Sequence, residues 1–244
     1  MRDVVIVGGG VAGLSAAIFT ARAGLDTLVV AGGESILARN ATLENYPGFP
    51  LGVDPRLYLR MVEAQAEAAG AAFVDDRIVH AEPRVEQELE AGFELQGEAA
   101  TYQGRRVIAA SWPDSEYLRP LDVGRDQQGT KYVVSVDDAG RTAVDGVYAA
   151  GRIAGEPHQT IVAAGHGAKV ALAAIRDGET PFYHDWIAPD GYFTERGIDL
   201  PPACEEIDEE ERRRRDERAR AAIREWVATA LDEEPTMHPD VEES

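Results

Sequence analysis

The sequence predicts an α/β fold: a mostly parallel sheet flanked by helices, with a small β-meander and a helical extension toward the C-terminus. Three observations carry this. The chain opens on a strand, a glycine turn, a helix and a strand. A second strand, glycine turn and helix recur late in the chain, and the composition changes after Thr180.

Asp3–Val7 is a nearly continuous apolar run, as expected of a parallel strand covered on both faces. Gly8–Gly10 turns the chain. Val11–Ala23 is rich in Ala, Leu and Ile without proline, and Gly24 is a natural helix stop. Thr27–Val30 is the second strand. Asn40–Val53 reads as a loop and Pro55–Ala69 as a helix ended by Gly70. Short strands follow at Phe73–Val79, Gly92–Gln96 and Arg106–Ala110, separated by charged turns. Ser111–Thr130 reads as a connection, Tyr132–Val136 and Val147–Ala149 as strands, and a turn at Gly151 leads into a helix at Gln159–Arg176.

The expected organisation is therefore one nucleotide-binding domain over residues 1–180, followed by three smaller pieces. Residues 181–204 form an aromatic arm with Phe182, Tyr183, Trp186, Tyr192 and Phe193. Residues 205–231 read as one long charged helix, with i,i+4 pairs Glu209/Arg213, Glu210/Arg214 and Glu211/Arg215 in the favourable order. Its second half sets Ala222, Ile223, Trp226, Ala230 and Leu231 on one face, for packing on its own domain or for a subunit contact. The acidic stretch 232–244, with Pro235 and Pro239, is expected to be disordered.

Composition bounds the function. At 244 residues the chain has room for one sizeable domain plus extensions. No apolar run approaches the ~18–20 residues that span a bilayer. A first strand at Asp3 leaves no space for a secretory leader, so a soluble cytoplasmic protein without membrane contact is expected. The single cysteine, Cys204, excludes an intrachain disulfide, a dithiol redox pair and a cysteine-rich metal site, and no metal-ligand spacing is present. A net charge of −20 argues against nucleic acid as a partner. Lys131 and Lys169 are the only lysines, and the carboxylates are spread along the whole chain, as on a surface adapted to high salt. The alternative is an ordinary acidic protein with one acidic tail.

Chemistry concentrates in Gly8-x-Gly10-x-x-Gly13, placed between a strand and a helix as the dinucleotide fingerprint of a Rossmann-like fold requires. Gly8 permits the tight turn, Gly10 lets backbone approach a pyrophosphate, and Gly13 lets helix and strand pack closely. Val11 and Ala12 open the helix whose N-terminus faces the phosphates. An acidic residue is expected at the end of the second strand to hold the adenosine ribose, but Ala31 stands there. Glu34, just beyond Gly32-Gly33, is the nearest substitute, or else a solvated loop residue.

Val5-to-Ala17 with its glycines, Asn45-Tyr46-Pro47-Gly48-Phe49 and Gly146-Val147-Tyr148-Ala149-Ala150-Gly151 together resemble the low-molecular-weight thioredoxin reductase family of flavoproteins. The resemblance covers about 1–110 and 142–176. It implies FAD as cofactor, with Gly8–Gly13 facing the pyrophosphate and Asn45 approaching the ribityl–flavin portion. Gln159 and Thr160 would open a helix beneath the flavin pyrimidine, where a helix N-terminus stabilises negative charge on reduced flavin. The resemblance also implies a homodimer.

The departures are specific. The family inserts an NADPH-binding domain with a Cys-x-x-Cys pair between its two halves, whereas the interval 111–141 is far too short for one. The family's Asp after the second glycine, which holds the ribityl chain, is Arg152 here. Arg152 could pair with a cofactor phosphate or point to solvent. The usual Ala-Thr-Gly at the crossover is Ala109-Ala110-Ser111. His158 could protonate a reduced flavin or substrate, or be a surface histidine before a helix. His166 reads as structural, and Cys204 has no neighbouring cation or histidine to activate it.

The sequence thus leads to a single-domain FAD oxidoreductase that takes electrons from a separate donor, NAD(P)H or a redox protein, and does not reduce thioredoxin by a dithiol mechanism. Two alternatives stay open: a non-catalytic nucleotide-binding scaffold or sensor, and an NAD(P)-binding protein with exchanged cofactor.

Overall fold

The structure, a computed structural model, describes residues 1–84, 92–182 and 184–237. β1 (Arg2–Val7) lies inside a seven-stranded sheet, with its last four residues buried. On one side it pairs in parallel with β2 (Thr27–Val30), which in turn pairs with β3 (Ala72–Val74). On the other it pairs in parallel with β6 (Thr101–Ala109), Val7 opposite Ala109.

β6 serves two structures at once. Its far half, Val107–Ala109, is fully buried and runs parallel to β9 (Val147–Ala149). Its near half, Thr101–Gly104, pairs antiparallel with β5 (Gly92–Gly97), which pairs antiparallel with β4 (Ile78–Arg84). The sequence change explains this: Val-Ile-Ala suits a strand covered on both faces, whereas Thr-Tyr-Gln-Gly suits a half-exposed meander. Chain order therefore reverses at β1, with β2 on one side and β6 on the other, and leaves a crevice beyond their carboxyl ends.

α1 (Val11–Arg22) packs between α3 (Thr160–Arg176) and α2 (Pro55–Ala69), with eight of its residues buried. α2 begins at Asp54, whose carboxylate accepts from the N–H groups of Arg56 at 2.8 Å and Leu57 at 3.2 Å. Such a cap contributes ~1 kcal/mol. Gly70, with φ 107°, closes the helix in the left-handed conformation.

Three expectations about elements are corrected. Phe73–Val79 is not one strand, because Asp76 breaks it. Its buried carboxylate accepts from the N–H groups of Arg77 (2.7 Å), Ala99 (3.1 Å) and Ala100 (3.2 Å) and from the Tyr102 hydroxyl (2.8 Å). The Tyr102 hydrogen bond, with the backbone donors, holds that carboxyl below its usual range. The connection after Ser111 is structured: a 3-10 turn at Glu116–Leu121 and a hairpin of β7 (Arg125–Gln128) and β8 (Lys131–Val134). Tyr117, Leu118, Leu121, Val123 and Val134 from this stretch join the main core.

The third correction concerns the end of the chain, where Glu179–Glu234 forms a second unit, separate from the first, which is built on Met1–Gly178. Its long helix, α4, spans Glu209–Val227 rather than 205–231. Cys204–Ile207 is instead a strand, β11, parallel to β10 (Trp186–Pro189). Glu206 accepts from the N–H groups of Gly191 (3.2 Å), Phe193 (2.5 Å) and Thr194 (3.1 Å), and Asp208 caps the helix through the Glu211 N–H at 2.7 Å. Trp186, Tyr192 and Phe193 of the expected arm stack edge-on with centroids 4.7–5.4 Å apart. Arg215 pairs with Glu211 as expected and also holds Glu205 bidentately. No residue of α4 is buried. Tyr183 lies outside the described residues. So does 238–244 of the expected tail, while 232–237 carries neither helix nor strand. Among the described residues no helix is long and apolar enough to cross a membrane.

Candidate dinucleotide site

A cleft of about 580 Å³ opens beyond the carboxyl ends of β1, β2 and β6, a size usual for small-molecule sites. Gly8, Gly10, Val11, Ala12, Glu34, Asn45, Arg152, His158, Gln159 and Thr160 all border it, although they come from five separate stretches of chain. Gly13 and Gly151 do not border it and act from behind the wall.

The glycine turn is explained by crowding. Gly8 adopts φ +115°, and a Cβ there would lie 2.7 Å from the Ala110 carbonyl, so the ends of β1 and β6 meet over a bare backbone. A Cβ on Gly13 would run into the Gly8 carbonyl oxygen, which is how α1 settles onto β1. Gly10 differs: a Cβ would touch only the Ser35 hydroxyl, at 3.5 Å, because its other side is the open cleft. α1 then starts without a side-chain cap and without an acidic residue in its first turn. Its free N–H groups and positive dipole end are left for an anion.

At the far end of the cleft, Ala31 ends β2 with no carboxylate, and Glu34 stands exposed on the rim. At the near end, Asn45 Nδ2 donates to Gln159 Oε1 at 2.9 Å, joining residues 114 positions apart. That bond occupies the Gln159 side chain, so α3 also begins without a side-chain cap.

Gly151 donates its N–H to His166 Nδ1 at 3.0 Å, inside the protein, while His166 Nε2 lies 3.7 Å from the Glu156 carboxylate. His166 is thus an anchor for the turn, and burial holds its pKa below the ordinary histidine value. Next to it, the Arg152 guanidinium lies 4.7 Å from the Trp112 ring centroid. Burial first, and Arg152 second, lower the His158 pKa.

Sequence reasoning missed Trp112, Arg77 and Asp114. Arg77 and Asp114 form an ion pair at 2.9 Å on the cleft edge. The Ser111 hydroxyl donates to the Asp114 carbonyl at 2.9 Å and lies 3.0 Å from the Tyr117 hydroxyl, which shapes the segment carrying Trp112. A tryptophan at the start of the connection, directly before Pro113, was the one available signal. Cys204 lies half-buried on β11 in the second unit.

Residues 3–41 match the family model described as FAD binding domain. The thioredoxin reductase of Aquifex aeolicus (strain VF5) is 35% identical over 111 residues, 45% of this chain and 33% of that protein. Over this part the chain is similar to the FAD-binding domain of thioredoxin reductases. The thioredoxin reductase of Listeria monocytogenes serovar 1/2a is 36% identical to it over 147 residues, 56% of this chain and 42% of that one. The chain thus spans well under half the length of these curated relatives. Among solved structures, a thioredoxin reductase from Gloeobacter violaceus shares the fold with a TM-score of 0.63 at 18% identity, over 72% of this chain and 94% of that one. The cleft has parts that suit FAD: a glycine turn open at Gly10, an uncapped α1 and a lining that includes both Glu34 and Gln159.

Proposed function

We propose that the chain is an FAD-dependent oxidoreductase that takes electrons from a separate donor, a reduced nicotinamide nucleotide or a partner redox protein. The observation that carries this is the convergence of the open glycine turn, the uncapped start of α1 and the Asn45–Gln159 pair on one cleft. Bound FAD would supply hydride or electron transfer, and the protein supplies binding, orientation and electrostatics.

Each residue has a role in this reading. The start of α1 at Val11 and Ala12 binds the diphosphate, and Glu34 accepts from the adenosine ribose. Asn45 and Gln159 would hold the flavin end, and the uncapped start of α3 at Thr160 would offer partial positive charge that stabilises a reduced flavin. Burial and Arg152 lower the His158 pKa, so its imidazolium would readily give a proton to reduced flavin or substrate.

The separate donor is supported by the fold of 111–141, whose 3-10 turn and hairpin occupy the interval where the family inserts its NADPH domain. With Cys204 as the only cysteine in the chain, thioredoxin reduction by an intrachain dithiol is excluded from the proposal. We read residues 1–180 as the FAD domain of a cytoplasmic, salt-adapted homodimer, with the second unit as an accessory to it.

The test is an absorption spectrum of protein purified in molar salt, with FAD added if it is colourless. A flavin band near ~450 nm that bleaches when NADPH or a reduced redox protein is added supports the proposal. Protein that binds no FAD overturns it and favours a non-catalytic scaffold or sensor, or, if it binds NADP(H) tightly, an NAD(P)-binding protein with exchanged cofactor. Rapid reduction of thioredoxin with NADPH alone overturns the mechanism.

A further inference from the structure

The charges that border the cleft are matched with two exceptions. Arg77 is paired with Asp114, and Asp76 is occupied by its four donors. Glu34 and Arg152 remain. Among the described residues, Arg152 meets no carboxylate at all, in a chain where 44 acidic residues face 24 lysines and arginines. Its guanidinium lies over the face of Trp112.

We infer that Arg152 is the specificity-determining cation of this site: it binds the cofactor diphosphate and selects the intact dinucleotide over unphosphorylated riboflavin, with Trp112 holding the guanidinium in place. This rests on the FAD reading above and adds a role opposite in charge to the carboxylate found there in the family. Position supports it. Gly151 is fixed by its bond to His166, and a Cβ on it would lie 2.7 Å from Ala12 Cβ. Residue 152 therefore follows directly on a backbone pressed against the first turn of α1. Arg152 and the residues of that turn, Val11 and Ala12, border the same cleft.

Chemistry supports it too. A guanidinium stacked on an indole is attracted by the ring face yet keeps its in-plane N–H edge free, which is the edge that grips two phosphate oxygens. A half-buried cation without a counter-charge is destabilising until an anion arrives, so the site favours a ligand that brings one. A lost ribityl-binding site would need none of this.

The two accounts predict opposite signs for one substitution. Dissociation constants for FAD and riboflavin would be measured by flavin and tryptophan fluorescence in wild type, Arg152→Ala, Arg152→Lys and Arg152→Asp. Far-UV circular dichroism melts of the ligand-free proteins would confirm folding. Arg152→Ala is expected to weaken FAD by about 10–100-fold, the range of a charge-assisted hydrogen bond, with riboflavin unchanged. Arg152→Asp should weaken FAD further, and Arg152→Lys should fall between wild type and alanine. Should alanine fail to fold, the lysine and aspartate variants decide the matter. FAD binding that is unchanged in Arg152→Ala, or tighter in Arg152→Asp, overturns the inference while the FAD reading stands. Wild-type riboflavin affinity equal to that for FAD overturns it as well. Wild-type protein that binds no FAD removes both.

Discussion

The backbone N–H of Gly151 donates to Nδ1 of His166 at 3.0 Å in the interior, so the imidazole is neutral with its proton on Nε2, toward Glu156. Burial lowers the folded-state pKa below the ordinary histidine value, Glu156 partly opposes this and Lys169 adds to it. The native state thus prefers the unprotonated ring. This stabilisation is complete above pH ~6.5 and is lost as pH falls through the lowered folded value, because the unfolded chain takes up the proton first. Urea midpoints should fall between pH 7.5 and pH 5.5 in wild type. In His166→Leu that slope should flatten and the protein should lose ~1–3 kcal/mol at pH 7.5, since the Gly151 N–H is left without an acceptor. An identical pH slope in the two proteins would contradict the assignment.

Two glycines separate crowding from freedom. Gly13 has no room for a side chain because the Gly8 carbonyl fills it, and Gly13→Val must push α1 off β1. Loss of folded protein, or of FAD binding in whatever folds, is the expected result. Gly165 in α3 is exposed, and a Cβ there would meet nothing within 4 Å. Gly165→Ala should raise stability by ~0.5–1 kcal/mol, because alanine loses less backbone freedom in a helix. A destabilised Gly165→Ala would show that α3 is packed differently there.

Asp76 offers a third check. Removing its carboxylate strands three backbone N–H groups and the Tyr102 hydroxyl, so Asp76→Ala should melt well below wild type, with Asp76→Asn in between. The carboxyl is held below its usual value, chiefly by Tyr102. Its contribution is therefore present above pH ~4 and lost as pH falls through the folded value. Acid melts of wild type and Asp76→Asn should converge below that window, and persistent separation would count against the role.

The parallel core was legible because its signals are local. Asp3–Val7, Thr27–Val30 and Val147–Ala149 are short apolar runs beside glycine turns, and each is a strand at nearly those residues. What failed depended on partners distant in sequence. Nothing near Asp76 reveals that Ala99, Ala100 and Tyr102 will satisfy it and end a strand. Glu205–Ile207 looks helical until Glu206 is seen accepting from residues 191–194. The site shows the same division. The glycine turn and Asn45 were readable as motifs, whereas Trp112 acquires meaning only from Arg152, forty residues later in the chain.

The Asn45–Gln159 bond gives a prediction of coupling. It ties the loop before α2 to the start of α3 at 2.9 Å and is exposed, so in the free protein it contributes only ~0.5–1 kcal/mol. If the pair holds the flavin end together, Asn45→Ala and Gln159→Ala should each weaken FAD binding. Once one partner is gone the other is no longer oriented, so the double variant should lose less than the sum. Residues in one hydrogen-bonded unit couple by ~0.5–3 kcal/mol, while independent sites add within ~0.5 kcal/mol. Spectral titration of FAD into wild type, both single variants and the double variant reads this energy directly. Strict additivity would mean that the two side chains meet the cofactor separately, or not at all. A measurable coupling would place the flavin end of FAD against this pair, with the diphosphate lying between it and Glu34.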